Sequence, residues 1–250
     1  MIEAFVEALG LTRTVELLAL SPPGWGGNLL RGLVASLQIA LGAFAMGLVI
    51  GICGAYGKLY GGPVTRDLLA VYTTVVRAVP ELVLILILYY AGTDLINRAL
   101  MSMGYARVEL SGVMAGIGVL GIVQGAYATE VLRGAIQAVP AGQVEAARAF
   151  GMPPVKLMRR IVLPAMLPFA IPGLANLWLI ATKDTALLAV VGFSELTLET
   201  RQAAASTRHY FTFFLAAGFL YLVVSLVSGR LFGRLERWAR RGEPDVAGAR

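Results

Sequence analysis

Apolar residues fall into five blocks, and polar or helix-breaking residues separate them. The blocks cover about 33–57, 68–92, 109–131, 165–192 and 210–229. A membrane-spanning helix needs about 20 mostly apolar residues, and each block reaches or approaches that length. Pro168, Pro172 and the Lys183–Asp184 pair are expected to break the fourth. The pattern predicts an all-α integral membrane protein with about five transmembrane helices. No internal repeat or low-complexity tract interrupts it.

Composition strengthens this reading. Hydrophobic residues make up 58% of the 250, charged residues 14%, and mean hydropathy is +0.75. Soluble domains run at about 45–50% apolar and about 25% charged. The net charge of +6 fits loops facing anionic lipid better than nucleic-acid binding. The bilayer is the expected partner and nucleic acid is not.

Lys and Arg near the block ends give the orientation. Lys58, Arg66, Arg133, Arg148, Lys156, Arg159, Arg160, Arg230, Arg234, Arg237, Arg240 and Arg241 fall on one side. Arg13, Arg31, Arg98, Arg107, Arg201 and Arg208 fall on the other. Twelve against six places the first set in the cytoplasm, with the N-terminus outside and the C-terminus inside. The expected organisation is an N-terminal periplasmic segment at 1–27, a transmembrane domain at 28–240 and a cytoplasmic tail at 241–250. Residues 1–20 carry Glu3 and Glu7 where a cleaved signal would be positive. They read as a short amphipathic helix with Phe5, Leu9 and Leu11 on one side, broken at Ser21-Pro22-Pro23-Gly24.

One cysteine, Cys53, and one histidine, His209, exclude an internal disulfide and a multi-histidine metal site. Cys53 is expected to be a small buried hydrophobe. Gly47/Gly51, Gly112/Gly116 and Gly121/Gly125 are small-xxx-small pairs that let helices approach closely. They fit packing within this chain or a subunit interface.

Between the third and fourth blocks lies a charged hairpin at 134–164. Ala141 to Phe150 are good helix formers. Glu145 and Arg148 can pair at i,i+3. Gly151 stands where a left-handed residue ends a helix. Pro153 and Pro154 suit the start of a second helix at about 154–162, which Pro164 is expected to close. Such a helix–turn–helix is either a solvated loop or a docking element for a soluble partner.

Glu145-Ala146-Ala147, Gly151 and Ile161-x-Leu163-Pro164 resemble the EAA motif of ABC-importer permeases. Residues 125–152, Arg77-Ala78-Val79-Pro80 and the run KDTALLAVVGFSEL at 183–196 resemble the polar amino-acid permeases. YTTVVRAVPELVLIL at 72–86 is similar to the Q-type permeases of histidine and lysine/arginine/ornithine systems. The likeness covers about residues 28–240. It implies a type I ABC-importer permease fold in a bacterial inner membrane. It also implies that Glu145, Ala146, Ala147 and Gly151 transmit closure of a cytoplasmic ATPase dimer, which carries ATP and Mg. A periplasmic binding protein and a second permease, more readily a sister chain than a copy, complete the assembly. The chain itself is not expected to be an enzyme or to bind a cofactor. Its nearest approach to a phosphate loop, Gly57-Lys58-Leu59, lacks the hydroxyl residue, and Ile52 stands at the first glycine position.

Ionisable residues inside spans mark transport pathways. Arg77 and Glu81 bracket Pro80. A zwitterionic substrate wants a cation for its carboxylate and a carboxylate for its amine. Glu81 would be the extra carboxylate for a cationic side chain, which implies basic amino acids such as arginine, histidine, lysine or ornithine. An internal Arg77–Glu81 pair is the alternative. Lys183 and Asp184 read as a structural or gating pair rather than substrate contacts, and Glu130 as a gate or hairpin anchor. Asp94 and Glu195 are placed at the outer surface, where a binding protein would dock. Neutral or acidic amino acids or opines remain open as substrates. An autonomous secondary transporter usually carries an internal repeat in a longer chain. A membrane enzyme would need a nucleophile and base at a spacing that is missing here.

Overall fold

A computed structural model describes residues 11–107 and 111–241. Among them every regular element is helical. In chain order they are α1 (Leu11–Leu17), α2 (Gly26–Tyr60), α3 (Pro63–Ala78), α4 (Glu81–Ser102), α5 (Gly112–Gln137) and α6 (Ala141–Ala149). Then come α7 (Pro154–Leu157), a π-turn (Met158–Val162), α8 (Leu163–Asp184), a 3-10 stretch (Thr185–Val191), α9 (Leu196–Thr207) and α10 (Tyr210–Ala239). Among the described residues five helical segments are long and apolar enough to cross a membrane: Gly26–Tyr60, Glu81–Ser102, Gly112–Gln137, Pro154–Val191 and Tyr210–Ala239. Phe5, Leu9, the first two residues of the third block and the tail from 242 lie outside the described residues.

The second block does not span as one helix. It splits at Val79–Pro80 into amphipathic α3 and spanning α4. Val79 is extended (φ −90°, ψ 138°) because the ring of the following proline crowds its helical conformation. The fourth block fails in the other direction. Pro168 and Pro172 lie inside α8 without ending it, as spanning helices tolerate when other donors serve the freed carbonyls. Pro172 has no N–H for the Pro168 carbonyl, and Arg240 Nη2 approaches that oxygen at 3.5 Å. Nor does Pro164 close the hairpin. The chain runs from α7 through the π-turn into α8, with Leu163 N–H bonded to the Met158 carbonyl. The wider turn absorbs the proline that would interrupt an α-helix.

The chain forms two compact units. One comprises Met1–Ala43, Leu82–Leu120 and Ala181–Val224. It holds two cores, one around Ile39, Ile85, Leu120 and Leu188, the other around Leu29, Leu196, Ala203 and Phe213. The other comprises Phe44–Glu81, Gly121–Ile180 and Ser225–Arg250. Its core joins Ala55, Leu132 and Ala135 to Ala147 and Leu157 of the hairpin. Here α2 and α5 nearly touch. A Cβ on Gly47 would stand 2.8 Å from the Gln124 Cβ, and one on Gly51 2.5 Å from the Ala128 Cβ. The glycine pairs thus serve packing within the chain. Cys53 is exposed, not buried. It shares a bare apolar face with Val49, Ile52 and Tyr56, since hydrocarbon is as good a surrounding for such a face as a core.

Candidate functional site: a rigid hairpin and its anchor

Helix α6 ends in a Schellman turn. Gly151 takes φ +69°, its N–H bonds the Arg148 carbonyl at 2.9 Å, and Met152 N–H bonds the Ala147 carbonyl at 3.1 Å. This is the hydrogen-bond pair that a left-handed glycine allows. Ala147 is buried in the core with Leu157, while Glu145, Ala146 and Gly151 are exposed. The four motif residues thus divide into one inward anchor and three on the open side. Neither Glu145–Arg148 nor Arg77–Glu81 forms an ion pair, and both Glu145 and Arg148 are exposed. Sequence spacing missed the feature beside them: Phe150 is 90% and Val155 80% exposed. Their neighbours Tyr56, Tyr60, Met152, Met158 and Leu163 help line a cavity of about 440 Å3 at the hairpin. Phe150 and Val155 thus stand bare beside the charged residues of the turn.

Glu130 lies on α5, ahead of the hairpin. Its Oε1 accepts from Lys58 Nζ at 2.5 Å, and its Oε2 from Arg133 Nε and Nη2 at 3.0 and 2.8 Å. Lys58 also donates to Thr73 Oγ1 at 2.8 Å. Lys58 on α2 thus bonds both the Glu130 carboxylate on α5 and the Thr73 hydroxyl on α3. Two cations, one of them donating twice to the same oxygen, offset the cost of placing the carboxylate in a part-buried site.

The other candidates have separate surroundings. Arg77 is exposed near the end of α3. Glu81 is half-buried in the first turn of α4, where the helix dipole favours a carboxylate, and accepts from Tyr127 Oη at 3.4 Å. Asp184 is buried and Lys183 exposed, so the two neighbours face unlike surroundings. Asp94 is exposed and pairs with Arg98. Glu195 is not at the surface. Its exposure is 0%, and it accepts from Leu198 N–H at 2.8 Å, Ser36 Oγ at 3.2 Å and Tyr221 Oη at 3.3 Å. It caps α9 from inside. Burial pushes its carboxyl above the usual range, against the lowering effect of these hydrogen bonds.

Residues 43–241 match the family described as binding-protein-dependent transport system inner membrane component. The chain belongs to this family. It is 37% identical to the octopine transport system permease protein of Rhizobium radiobacter over 91% of this chain and 96% of that one. It is 40% identical to the nopaline transport system permease protein of Agrobacterium fabrum, over 91% and 98%. It is 37% identical to the histidine/lysine/arginine/ornithine transport system permease protein of Escherichia coli, over 86% and 94%. Its fold superposes with a TM-score of 0.73 and 29% identity on a chain of an amino acid ABC transporter crystallised with histidines, covering 85% of this chain and 94% of that one. A methionine ABC transporter chain in an inward-facing state shares the fold at TM-score 0.70 and 19% identity, over 88% and 100%. The chain is therefore an inner-membrane permease subunit with the ABC-importer permease fold, and permeases of this family are not themselves catalytic. The family implies an ATPase, a substrate-binding protein and a second permease as partners.

Proposed function

We propose that this chain is the translocation subunit of an ATP-driven importer for amino acids with cationic side chains. Its 134–164 hairpin faces the cytoplasm and seats on an ATPase that binds ATP and Mg. The observation that carries the coupling role is the rigid hairpin itself: a Schellman turn on Gly151, an anchored base and two bare apolar side chains. Such a body passes on a rigid rotation where a floppy loop would absorb it. Glu145 and Gly151 contact the ATPase in this reading, Ala147 holds the hairpin to its own unit, and the Glu130 ion pairs stiffen the helix that leads into it. Arg77 and Glu81 flank the Pro80 break and are the pathway candidates. Asp184 and Lys183 set the end of α8 where it tightens into the 3-10 stretch.

The basic-substrate reading rests on Glu81 and on the relative named for histidine, lysine, arginine and ornithine. Opines are the second reading, favoured by the relatives named for octopine and nopaline. Pairing with a sister permease rather than a second copy is part of this reading, and it rests on the likeness of residues 72–86 to Q-type permeases.

Co-purification in mild detergent with assay of ATP hydrolysis tests the assembly. The expected result is an associated ATPase that Glu145→Lys or Gly151→Asp releases or uncouples, with the chain still inserted. Normal ATP-driven uptake in both variants would overturn the coupling role.

A further inference from the structure

The first unit carries a small polar cleft that the translocation reading leaves unused. It has a volume of about 250 Å3 and is lined by Asn28, Arg31, Gly32, Ala35, Ser194 and Glu199. The first four recur at i, i+3, i+4 and i+7 and so share one face of α2. The last two come from the entry to α9. Arg31 and Glu199 form no ion pair with each other across it. Glu199 Oε1 accepts from Ser194 Oγ at 2.5 Å. One cleft thus presents a cation with an amide on one wall and a carboxylate with a hydroxyl on the other.

The walls are fixed. A Cβ on Gly32 would stand 2.9 Å from Leu196 Cα and 3.0 Å from Glu199 Cγ, so only glycine allows the backbones this close. Ser36, one turn along the same face, donates to Glu195 Oε2 and accepts from Leu196 N–H at 3.1 Å. The buried Glu195 carboxylate therefore bolts the segment bearing Ser194 and Glu199 to the helix bearing Asn28 and Arg31. A merely solvated pair of surface charges has no such preorganisation, which lowers the ordering cost of binding.

We propose that this cleft is a binding site for the zwitterionic head of a free α-amino acid. The carboxylate sits on Arg31 and Asn28, the ammonium on Glu199 and Ser194. The volume lies below the roughly 300–1,000 Å3 of pockets that enclose whole drug-sized ligands, so the cleft takes the head and leaves the side chain outside. It therefore does not select among amino acids, unlike the Glu81 region. Glu195 is a positioning residue here and does not touch the ligand. The inference rests on the amino-acid importer reading.

The test uses the assembled transporter in nanodiscs without its binding protein. Equilibrium binding of labelled L-arginine is measured for wild type, Arg31→Gln, Glu199→Gln and Asp67→Asn, a change at an exposed carboxylate outside the cleft. Competition uses L-glutamine, agmatine, which lacks the carboxylate, and Nα-acetylarginine, which lacks the ammonium. The expected result is a site that Arg31→Gln and Glu199→Gln each weaken at least tenfold and that the exposed-carboxylate control Asp67→Asn leaves intact. L-Glutamine should compete for it as well as L-arginine, and neither truncated analogue should. Arg31→Lys restores part of the binding if the charge is what matters, and it guards against loss through misfolding. Unchanged binding in both Arg31 and Glu199 variants, or no binding by wild type, overturns the site. ATP-driven uptake with the binding protein present is measured in parallel. Retained uptake then shows that the importer reading stands although the cleft does not, whereas wild type without uptake fails that reading.

Discussion

Glu81 and Glu195 show how one residue type serves unlike ends. Among the described residues Glu81 accepts one long hydrogen bond, from Tyr127, and keeps acceptor capacity for a ligand. Hydrogen bonds to charged groups are worth about 1.5–3 kcal/mol. Glu81→Gln is thus expected to raise the half-saturating concentration for arginine by about tenfold or more while sparing glutamine, read in reconstituted uptake. Equal losses for both would remove Glu81 from substrate recognition. Glu195 has its acceptors filled from three elements. Its folded pKa is raised, mainly by burial. Its contribution to stability is then full below the ordinary carboxylate range and lost as pH rises through the raised folded value. Glu195→Gln should flatten that part of the stability–pH curve, read by thermal unfolding from the ordinary carboxylate range upward. An unaltered slope would show that another group sets it. The sequence revealed little of this. Ser36 lies 159 residues from Glu195, and no local pattern announces a cap completed from so far away. Gly151 was legible because its role depends on its own φ alone.

At the scale of elements, prolines were harder to read than glycines. Pro80 breaks a block that hydropathy joins, whereas Pro164, Pro168 and Pro172 leave their helix running. A proline ends a helix only where nothing else accommodates its ring and its lost donor, and sequence does not show a π-turn or a distant arginine. Hydropathy located the five spans, because that signal is summed over many residues. The glycine crossing is testable. Gly51→Leu drives a side chain into Ala128 and should cost about 1–3 kcal/mol or more, seen as a lowered unfolding temperature in detergent, with Gly51→Ala milder. A stable Gly51→Leu variant would mean that α2 and α5 separate easily. On the hairpin, Phe150→Asp should leave Tm nearly unchanged, since the ring is 90% exposed. The same change should reduce substrate-stimulated ATP hydrolysis by at least tenfold. Full stimulation in that variant would make the bare ring irrelevant to docking.

The whole molecule interleaves its two units along the chain, three segments to each. Composition announced a membrane protein but not this interleaving, because each of the long helices α2, α5 and α10 changes unit part-way and hydropathy is uniform across the change. The arrangement has a consequence for inheritance. A single crossover between this gene and that of a relative cannot transfer either unit intact. A recombinant that acquires residues 1–43 alone inherits Leu29 and Ile39 without the Phe213 and Leu188 that share their cores. Viable hybrids must carry matched sets of three segments, so substrate range in this lineage is expected to drift by point substitution rather than by shuffling.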